Sequence, residues 1–165
     1  MQYVVELAQP EDADRLARLH YRSHIESFAP YVSAGWLASR QLANYQSQWH
    51  EHFSVSNRRS RVWIVRDSDD AVGMVRVVPG SGPDIAQLNN MHVRPDLIGA
   101  GVGRALMQAA MEFIKEQGYR TARLGVVQEN RRARRFYEAA GWQVDELLPH
   151  GIEGVPIAIY RLGIS

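Results

Sequence analysis

The segment of this chain whose residues most clearly suit a chemical function contains three closely spaced glycines. Glycine adopts positive φ readily and lets a ligand reach the backbone unobstructed by a Cβ atom. Because an amphipathic helix pattern follows, the unpaired N–H groups of its first turn favour an anion. The pattern therefore predicts a phosphate or pyrophosphate cradle, and a strand-to-helix connection that binds nothing is the alternative. The segment reads Val93-Arg94-Pro95-Asp96-Leu97-Ile98-Gly99-Ala100-Gly101-Val102-Gly103-Arg104.

Two common phosphate-binding motifs do not fit this segment. A P-loop requires Lys and then Ser or Thr after its last glycine, whereas Gly103 is followed by Arg104 and Ala105. The dinucleotide fingerprint requires glycine at its first, third and sixth positions, and the sixth position counted from Gly99 is Arg104. The ligand is therefore expected to carry phosphate without being held in either of these ways.

A second segment, from Asn130 to Trp142, combines a helix start with a tyrosine. Asn130 is a suitable N-cap, and helical spacing places Ala133, Phe136 and Tyr137 on one face. A core tyrosine whose hydroxyl merely reaches the surface is the simplest interpretation of Tyr137 taken alone. Its position relative to Asn130 and the glycine-rich segment favours a functional role.

An arginine run, Arg131–Arg135, begins the same helix and has three interpretations. A solvated helix face is the simplest, with one or two arginines contacting a phosphate group. Binding to nucleic acid would require a basic chain, yet the formal net charge is only +1. No nucleic-acid partner is therefore expected.

Together the two segments resemble the signature of the GNAT superfamily of acetyl-CoA-dependent N-acetyltransferases. That signature is a strand ending in Val-x-Pro, followed by Arg/Gln-x-x-Gly-x-Gly/Ala at the start of a helix. Val93-Arg94-Pro95 and Gly101-Val102-Gly103 match it, while Ile98 departs from it at the Arg/Gln position. The segment from Asn130 to Trp142 is similar to the family's Asn-x-x-Ala-x-x-Phe-Tyr-x-x-x-Gly-Phe/Trp stretch.

The resemblance implies an N-acetyltransferase that uses acetyl-CoA as co-substrate and needs no metal. The glycine-rich amides would hold the pyrophosphate, and the strand before them would pair with the pantetheine arm. Tyr137 would be the catalytic acid that protonates the departing thiolate, since a phenol with a pKa of about 10 keeps its proton at neutral pH. The implied acetyl-CoA contacts are Met91, His92, Val93, Ile98, Gly99, Ala100, Gly101, Val102, Gly103, Arg104, Asn130, Ala133 and Phe136.

The general base is not assigned by the sequence. An acceptor amine arrives mostly as ammonium, because its pKa is about 10.4, and it must lose a proton before it attacks. Many family members carry a Glu six residues before the Val of Val-x-Pro, where this chain has Gln87. Period-2 alternation predicts that Gln87 and Asn89 share a strand face with Met91 and Val93. Several side chains remain as candidate bases: His24, Glu26, His92, Glu129 or His150. An ordered water chain or a substrate that arrives already deprotonated would also suffice.

The acceptor is expected to be a primary amine on a small molecule or a peptide. By the resemblance, the region from His20 to Phe53 forms its wall, although aromatic core packing explains that region equally well. The candidate substrate contacts are His24, Phe28, Gln87 and Asn89. Because Gln87 is no base, a non-catalytic acyl-CoA-binding sensor of the same fold is the alternative function. The identity of the acceptor, larger acyl groups and a homodimer stay open.

Hydrophobic periodicity predicts a mixed α/β (α+β) chain. Strands are expected at 3–7, 61–65, 72–78, 85–93, 120–127, 142–147 and 156–162. One helix is expected after Pro10, and two or three helical pieces between His20 and Phe53, broken near Pro30 and Gly35. Further helices are expected at 101–118 and 130–141. The resemblance implies a mostly antiparallel sheet of six to seven strands flanked by about four helices.

Composition is that of an ordinary globular protein. The 165 residues suit a single domain over 1–165, with 45% hydrophobic and 22% charged residues. No apolar run approaches the ~20 residues of a membrane span, and the start lacks the features of a signal peptide. The absence of cysteine excludes disulfides, Cys-ligated zinc and a Cys nucleophile. A cytoplasmic location without a membrane partner is therefore expected.

Overall fold

The computed structural model describes residues 3–55 and 57–165. Within them lie seven strands: β1 (Val5–Leu7), β2 (Arg61–Asp67), β3 (Asp70–Pro79), β4 (Ile85–Val93), β5 (Thr121–Val127), β6 (Gln143–Ile152) and β7 (Val155–Gly163). The α-helices of this part of the chain are α1 (Ala13–Phe28), α2 (Ala34–Ser39), α3 (Leu42–Ser54), α4 (Val102–Glu116) and α5 (Arg131–Ala139).

All seven strands form one sheet in the order β1-β2-β3-β4-β5-β7-β6. Every neighbouring pair is antiparallel except β4 and β5, which run parallel. Helix α4 covers one face with an apolar stripe that includes Leu106 and Phe113, and α1 and α3 cover the other with Leu16 and Trp49. The predicted mixed, mostly antiparallel sheet flanked by helices is confirmed.

The parallel pair separates soon after it forms. Ile85–Gln87 pairs with Thr121–Arg123, and the ladder between β4 and β5 ends there. β4 nevertheless continues to Val93 and β5 to Val127. The last six residues of β4 therefore pair with β3 on one side and face no ladder partner on the other. Such an open edge offers backbone N–H and C=O groups to an extended ligand.

An extra residue in β4 interrupts its pairing with β3. Arg76 lies opposite Asn89 and Met74 opposite His92, so two residues of β4, Asn90 and Met91, share one position of β3. Asn90 has a φ of 54°, in the left-handed region that Asn tolerates better than most residues. This is a β-bulge, which bends a strand and redirects the side chains beyond it.

The bulge overturns the predicted alternation along β4. Met91 and Val93 pack into the core beneath α4. Asn89 lies on the opposite side, because its cross-strand partner Arg76 stacks over the Trp49 ring of α3, with Arg76 Cζ 5.7 Å from the ring centroid. The prediction that Gln87 and Asn89 share a face with Met91 and Val93 is therefore wrong, because the inserted residue shifts the period by one.

The helical region between His20 and Phe53 is confirmed, but one of its breaks is not where the sequence predicts. Gly35 lies inside α2, whose N-cap Ser33 accepts a hydrogen bond from the Trp36 amide at 3.1 Å. The second break falls at Arg40 and Gln41, which adopt extended backbone. The N-cap at Ser33 determines where α2 begins, so glycine at its second position is tolerated.

A buried ion pair joins the start of α1 to the sheet. The Asp12 side chain is 2% exposed and accepts hydrogen bonds from Arg66 Nη2 at 2.6 Å and from the Gln9 amide at 2.8 Å. Burial by itself would raise the pKa of Asp12, but the hydrogen bonds from Arg66 and Gln9 and the charges of Arg66 and Arg15 outweigh it. The pKa of Asp12 therefore lies below its ordinary value of 3.8.

We expect Asp12→Asn to lower the free energy of unfolding by about 3 kcal/mol near neutral pH, because it leaves Arg66 without its buried partner. The pKa of Asp12 is depressed in the folded state. The wild type is therefore more stable by this full amount above pH 3.8, the ordinary pKa, and the difference disappears as the pH falls through the folded-state pKa. Urea unfolding of both proteins across that range measures the difference. Asp14→Asn, at an exposed residue two positions on, is the control, and an equal loss there would contradict the role of the buried pair.

Candidate active site

Two glycines give the loop before α4 its open shape. Gly99 and Gly101 both have a φ of 91°, and Gly101 is the N-cap of α4. A Cβ atom built on either glycine would meet nothing within 4 Å. Positive φ is the conformation that only glycine adopts without strain. The loop therefore keeps its backbone exposed on one side, as a ligand-binding loop requires.

Most amide groups of this loop lack a partner in the protein. The Ala100 amide donates to the Leu97 carbonyl at 3.1 Å, and the Ala105 amide donates to the Gly101 carbonyl at 3.1 Å. Within residues 3–55 and 57–165, five other amides of this segment have no backbone acceptor: those of Gly99, Gly101, Val102, Gly103 and Arg104. Together with the dipole of a 15-residue helix, these donors favour a negatively charged group.

Gly103 marks the junction of three elements. A Cβ atom at this position would lie 3.4 Å from the Phe136 ring of α5 and 3.7 Å from Val93 Cγ2 at the end of β4. The first turn of α4, the open edge of β4 and the first turns of α5 therefore meet in one place. The structure thus brings together the glycine-rich segment and the segment from Asn130 to Trp142.

Tyr137 lies on the buried side of α5. Its side chain is 8% exposed, and its ring contacts those of Phe136, Trp142 and Tyr160, with centroids 5.4, 6.3 and 6.3 Å away. Asn130 caps the helix by accepting a hydrogen bond from the Ala133 amide at 3.2 Å, as predicted. Burial raises the pKa of Tyr137 to about 12. The hydroxyl therefore stays protonated, and it makes no hydrogen bond to another residue of the described ranges.

The arginines of α5 divide into two kinds. Arg134 donates from Nε to the Tyr160 hydroxyl at 2.8 Å and from Nη1 to the Gln128 carbonyl at 3.1 Å, so it joins α5 to β7. Arg131, Arg132 and Arg135 are exposed. This pattern agrees with a solvated helix face.

Three histidines cluster on the α1 side of β4. The rings of His20 and His92 stack with centroids 5.5 Å apart, and His24 lies 5.5 Å from His20. Burial lowers the pKa of His20 to about 3, and repulsion from His92 and His24, where these are protonated, and from the Arg76 charge lowers it further. Burial also lowers the pKa of His92 to about 4 and, with the charge of Arg40, the pKa of His24. All three are therefore neutral at physiological pH and weak bases.

His24 and Phe28 belong to an aromatic wall at the end of α1. His24 Nδ1 is 2.6 Å from the Tyr45 hydroxyl, and Phe28 packs edge-on to His24 and against Trp36. Phe28 and Trp36 also contact Val127 of β5 and the start of β7. The wall therefore extends from the helices to β5, on the far side of the gap where β4 and β5 separate. Phe28 itself is mostly buried in the core.

The remaining candidate substrate contacts and bases differ in exposure. Gln87 and Asn89 are half-buried on the α1 side of β4. Glu26, Glu129 and His150 are exposed. In the part of the chain that the structure describes, no group of three or more His, Cys, Asp or Glu side chains is arranged to hold a metal ion, and no helix is long and apolar enough to span a membrane.

Sequence reasoning missed His20 and Asn90 at this site. Asn90 lies at the bulge and contacts His20, with its carboxamide 3.2 Å from His20 Nε2. The available signal was the pair Asn89-Asn90 inside a strand, since Asn is depleted in strands and tolerates positive φ. His20 had no local signal, because its neighbours come from α3 and β4.

Comparison with known proteins gives a consistent result. A sequence model of the acetyltransferase (GNAT) family matches residues 18–142. An uncharacterized N-acetyltransferase of Mycobacterium tuberculosis is 29% identical over 134 residues, which are 81% of this chain and 85% of that protein. The mycothiol acetyltransferase of Kocuria rhizophila is 33% identical over 140 residues, which are 80% of this chain but 44% of that protein.

Solved structures share the fold at low sequence identity. The PaiA N-acetyltransferase of Thermoplasma acidophilum, in complex with coenzyme A, superposes with a TM-score of 0.82 at 17% identity and covers 99% of both chains. A Salmonella typhimurium protein solved with acetyl-CoA gives 0.77 at 14% identity, over 100% of this chain and 95% of its own.

Proposed function

Because this chain belongs to the acetyltransferase (GNAT) family and is an acetyl-CoA-dependent N-acetyltransferase, we propose that its acceptor is a primary amine of a small molecule or peptide, acetylated by direct attack in a ternary complex. One observation carries this proposal. The unbonded amides of α4, the open edge of β4 and the helix that bears Tyr137 meet around Gly103. A thioester held along that edge would have an acid on one side and the histidine cluster on the other.

The residues present suit coenzyme A. The five unbonded amides from Gly99 to Arg104 are donors for a pyrophosphate, and the open edge after Gln87 accepts an extended pantetheine arm. The Ala100 amide is already bonded to Leu97, so Ala100 serves by shaping the loop. Ile98 is 45% exposed and places an apolar side chain beside the cradle. It offers no donor to the pyrophosphate, for which the backbone donors suffice.

Each residue has a defined part in the transfer. The amine nitrogen forms a bond to the acetyl carbon, and the bond from that carbon to sulfur breaks. Backbone amides near Met91–Val93 stabilise the negative charge that develops on the acetyl oxygen. The Tyr137 hydroxyl gives its proton to the departing thiolate and recovers one from water. The proton that the amine loses passes to water, because Gln87 cannot ionise and His20, His24 and His92 have lowered pKa values.

This base-free scheme makes a prediction about pH. Because His20, His92 and His24 have lowered pKa values and Gln87 cannot ionise, the rate should follow the fraction of free amine. We expect kcat/KM to rise about tenfold per pH unit and to level off near the acceptor's own pKa, about 10.4 for a lysine-type amine. Profiles with two acceptors of different amine pKa measure this.

Two variants provide the controls for that profile. His24→Ala should leave its shape unchanged, and Gln87→Glu should add a carboxylate at the position where many family members have one. A bend at about pH 6–8 that stays fixed when the acceptor changes, and that disappears in His24→Ala, would show that a histidine is the base.

A panel of amines tests the proposed function. Release of coenzyme A thiol from acetyl-CoA is measured with amino acids, polyamines, aminoglycosides and peptides with free N-termini. We expect at least one class to accelerate release and to yield the acetylated amine by mass spectrometry. Tight binding of acetyl-CoA with no accelerated release by any class would instead indicate a non-catalytic acyl-CoA-binding domain, which the presence of Gln87 favours as the second candidate.

A further inference from the structure

Three side chains form a hydrogen-bonded line from α3 to the bulge of β4. Trp49, which is 2% exposed, donates from indole Nε1 to His20 Nδ1 at 3.1 Å. On the other side of the ring, His20 Nε2 lies 3.2 Å from the carboxamide nitrogen of Asn90. The line therefore ends at the residue with a φ of 54°, beside the open edge of β4.

The indole at one end fixes the protonation of the histidine. An indole N–H only donates, so His20 Nδ1 must accept. A neutral imidazole has one N–H group, and it must then be at Nε2. The lowered pKa of His20, about 3, agrees with a neutral ring.

The tautomer in turn orients the Asn90 carboxamide. His20 Nε2–H is a donor, so the Asn90 atom that faces it must be the acceptor Oδ1. A rotation of the Asn90 carboxamide about its terminal side-chain torsion exchanges the positions of the oxygen and the nitrogen. The NH₂ group then takes the position now held by Oδ1. No hydrogen-bond partner for that position occurs within residues 3–55 and 57–165.

We propose that the Asn90 NH₂ group, aimed by Trp49 and His20, donates a hydrogen bond to the acetyl carbonyl oxygen during transfer. This rests on the function proposed above. An NH₂ donor cannot take a proton from an ammonium group, and bonding to a free amine would occupy the lone pair that attacks. A carbonyl oxygen that gains negative charge is the group in the reaction that this donor suits. Asn90 thereby adds a side-chain donor to the backbone amides of β4.

Glycine at position 90 separates the side chain from the backbone. Because Asn90 has positive φ, Asn90→Gly keeps or relieves the bulge while removing the carboxamide. We expect kcat to fall about 10²-fold, the usual effect of losing one such donor, with the KM for acetyl-CoA little changed. The urea midpoint should fall only modestly, because His20 Nε2–H loses its acceptor. Glu153→Gly is the matched control, since Glu153 has a φ of 50° in the exposed turn between β6 and β7. It should retain wild-type kcat.

Nitrogen NMR of the wild-type protein tests the line without any substitution. We expect the His20 signals to show a protonated Nε2 and an unprotonated Nδ1. Wild-type kcat in Asn90→Gly, or a His20 proton on Nδ1, would overturn the proposal. If wild-type protein itself transfers acetyl to no amine, the proposed function fails, whereas turnover that Asn90→Gly leaves intact rejects only the role of Asn90.

Discussion

Replacing Tyr137 by Phe should lower kcat by about 10²–10⁴-fold, the range typical of a lost general acid, while the affinity for acetyl-CoA changes little. The phenol is buried and its pKa is raised to about 12, so it carries a proton at every pH at which the enzyme would be assayed. A departing thiolate needs that proton. Phe preserves the contacts with Phe136, Trp142 and Tyr160, so the fold should persist.

Tyr119→Phe is the matched control for this substitution. Tyr119 belongs to the same core cluster and is 2% exposed, its pKa is also raised by burial, and its hydroxyl donates to the Arg59 carbonyl at 3.2 Å. It follows the C-terminal end of α4, away from the cradle. We expect a loss of about 1 kcal/mol in stability and an unchanged kcat. Wild-type turnover by Tyr137→Phe with a saturating acceptor would make Tyr137 a packing residue.

Gly101→Val should weaken coenzyme A binding by about 10²-fold or more, which corresponds to at least ~2.7 kcal/mol. The new side chain projects into space that is free within 4 Å in the protein, so it does not clash with the fold. A β-branched residue cannot hold a φ of 91° without strain, and the loop that presents the unbonded amides must change shape. Calorimetric titration with coenzyme A measures the affinity.

Gly118→Val separates strain from ligand binding. Gly118 also has positive φ, 79°, and a Cβ atom there would meet nothing within 4 Å, but it lies just beyond the opposite end of α4. Both variants should lose similar stability, and Gly118→Val should retain coenzyme A affinity. Equal affinities in the two folded variants would mean that the Gly99–Gly103 segment only connects β4 to α4.

The parts of the site that the sequence predicted are those with local signals. The start of α4 after Gly101 and the cap at Asn130 depend on a few consecutive residues, and both are confirmed. The predicted strand at Ile85–Val93 is confirmed as well. Short-range chemistry of this kind is readable without knowledge of the fold.

The parts that the sequence could not predict depend on distant neighbours. The bulge at Asn90 appears only when β4 is paired with β3, because two residues must share one position opposite. The low pKa of His20 arises from burial against residues of α3 and β4 and from the nearby charge of Arg76. Residues of α3 and β4 lie far from His20 in sequence, so periodicity and composition carry no signal for its pKa. For the bulge, the Asn89-Asn90 pair inside a strand was the one local signal. Alternation therefore placed Met91 on the wrong face.

We propose that α4, β4 and α5 form one acetyl-CoA site around Gly103. Backbone amide NMR of the wild-type protein, titrated with coenzyme A, tests it most directly. We expect the largest shifts at Gly99–Arg104, except at the internally bonded Ala100, and slowed amide exchange along Met91–Val93, with further shifts in the first turns of α5. Shifts confined to the cleft between α3 and β2, around Arg76 and His52, would contradict the claim.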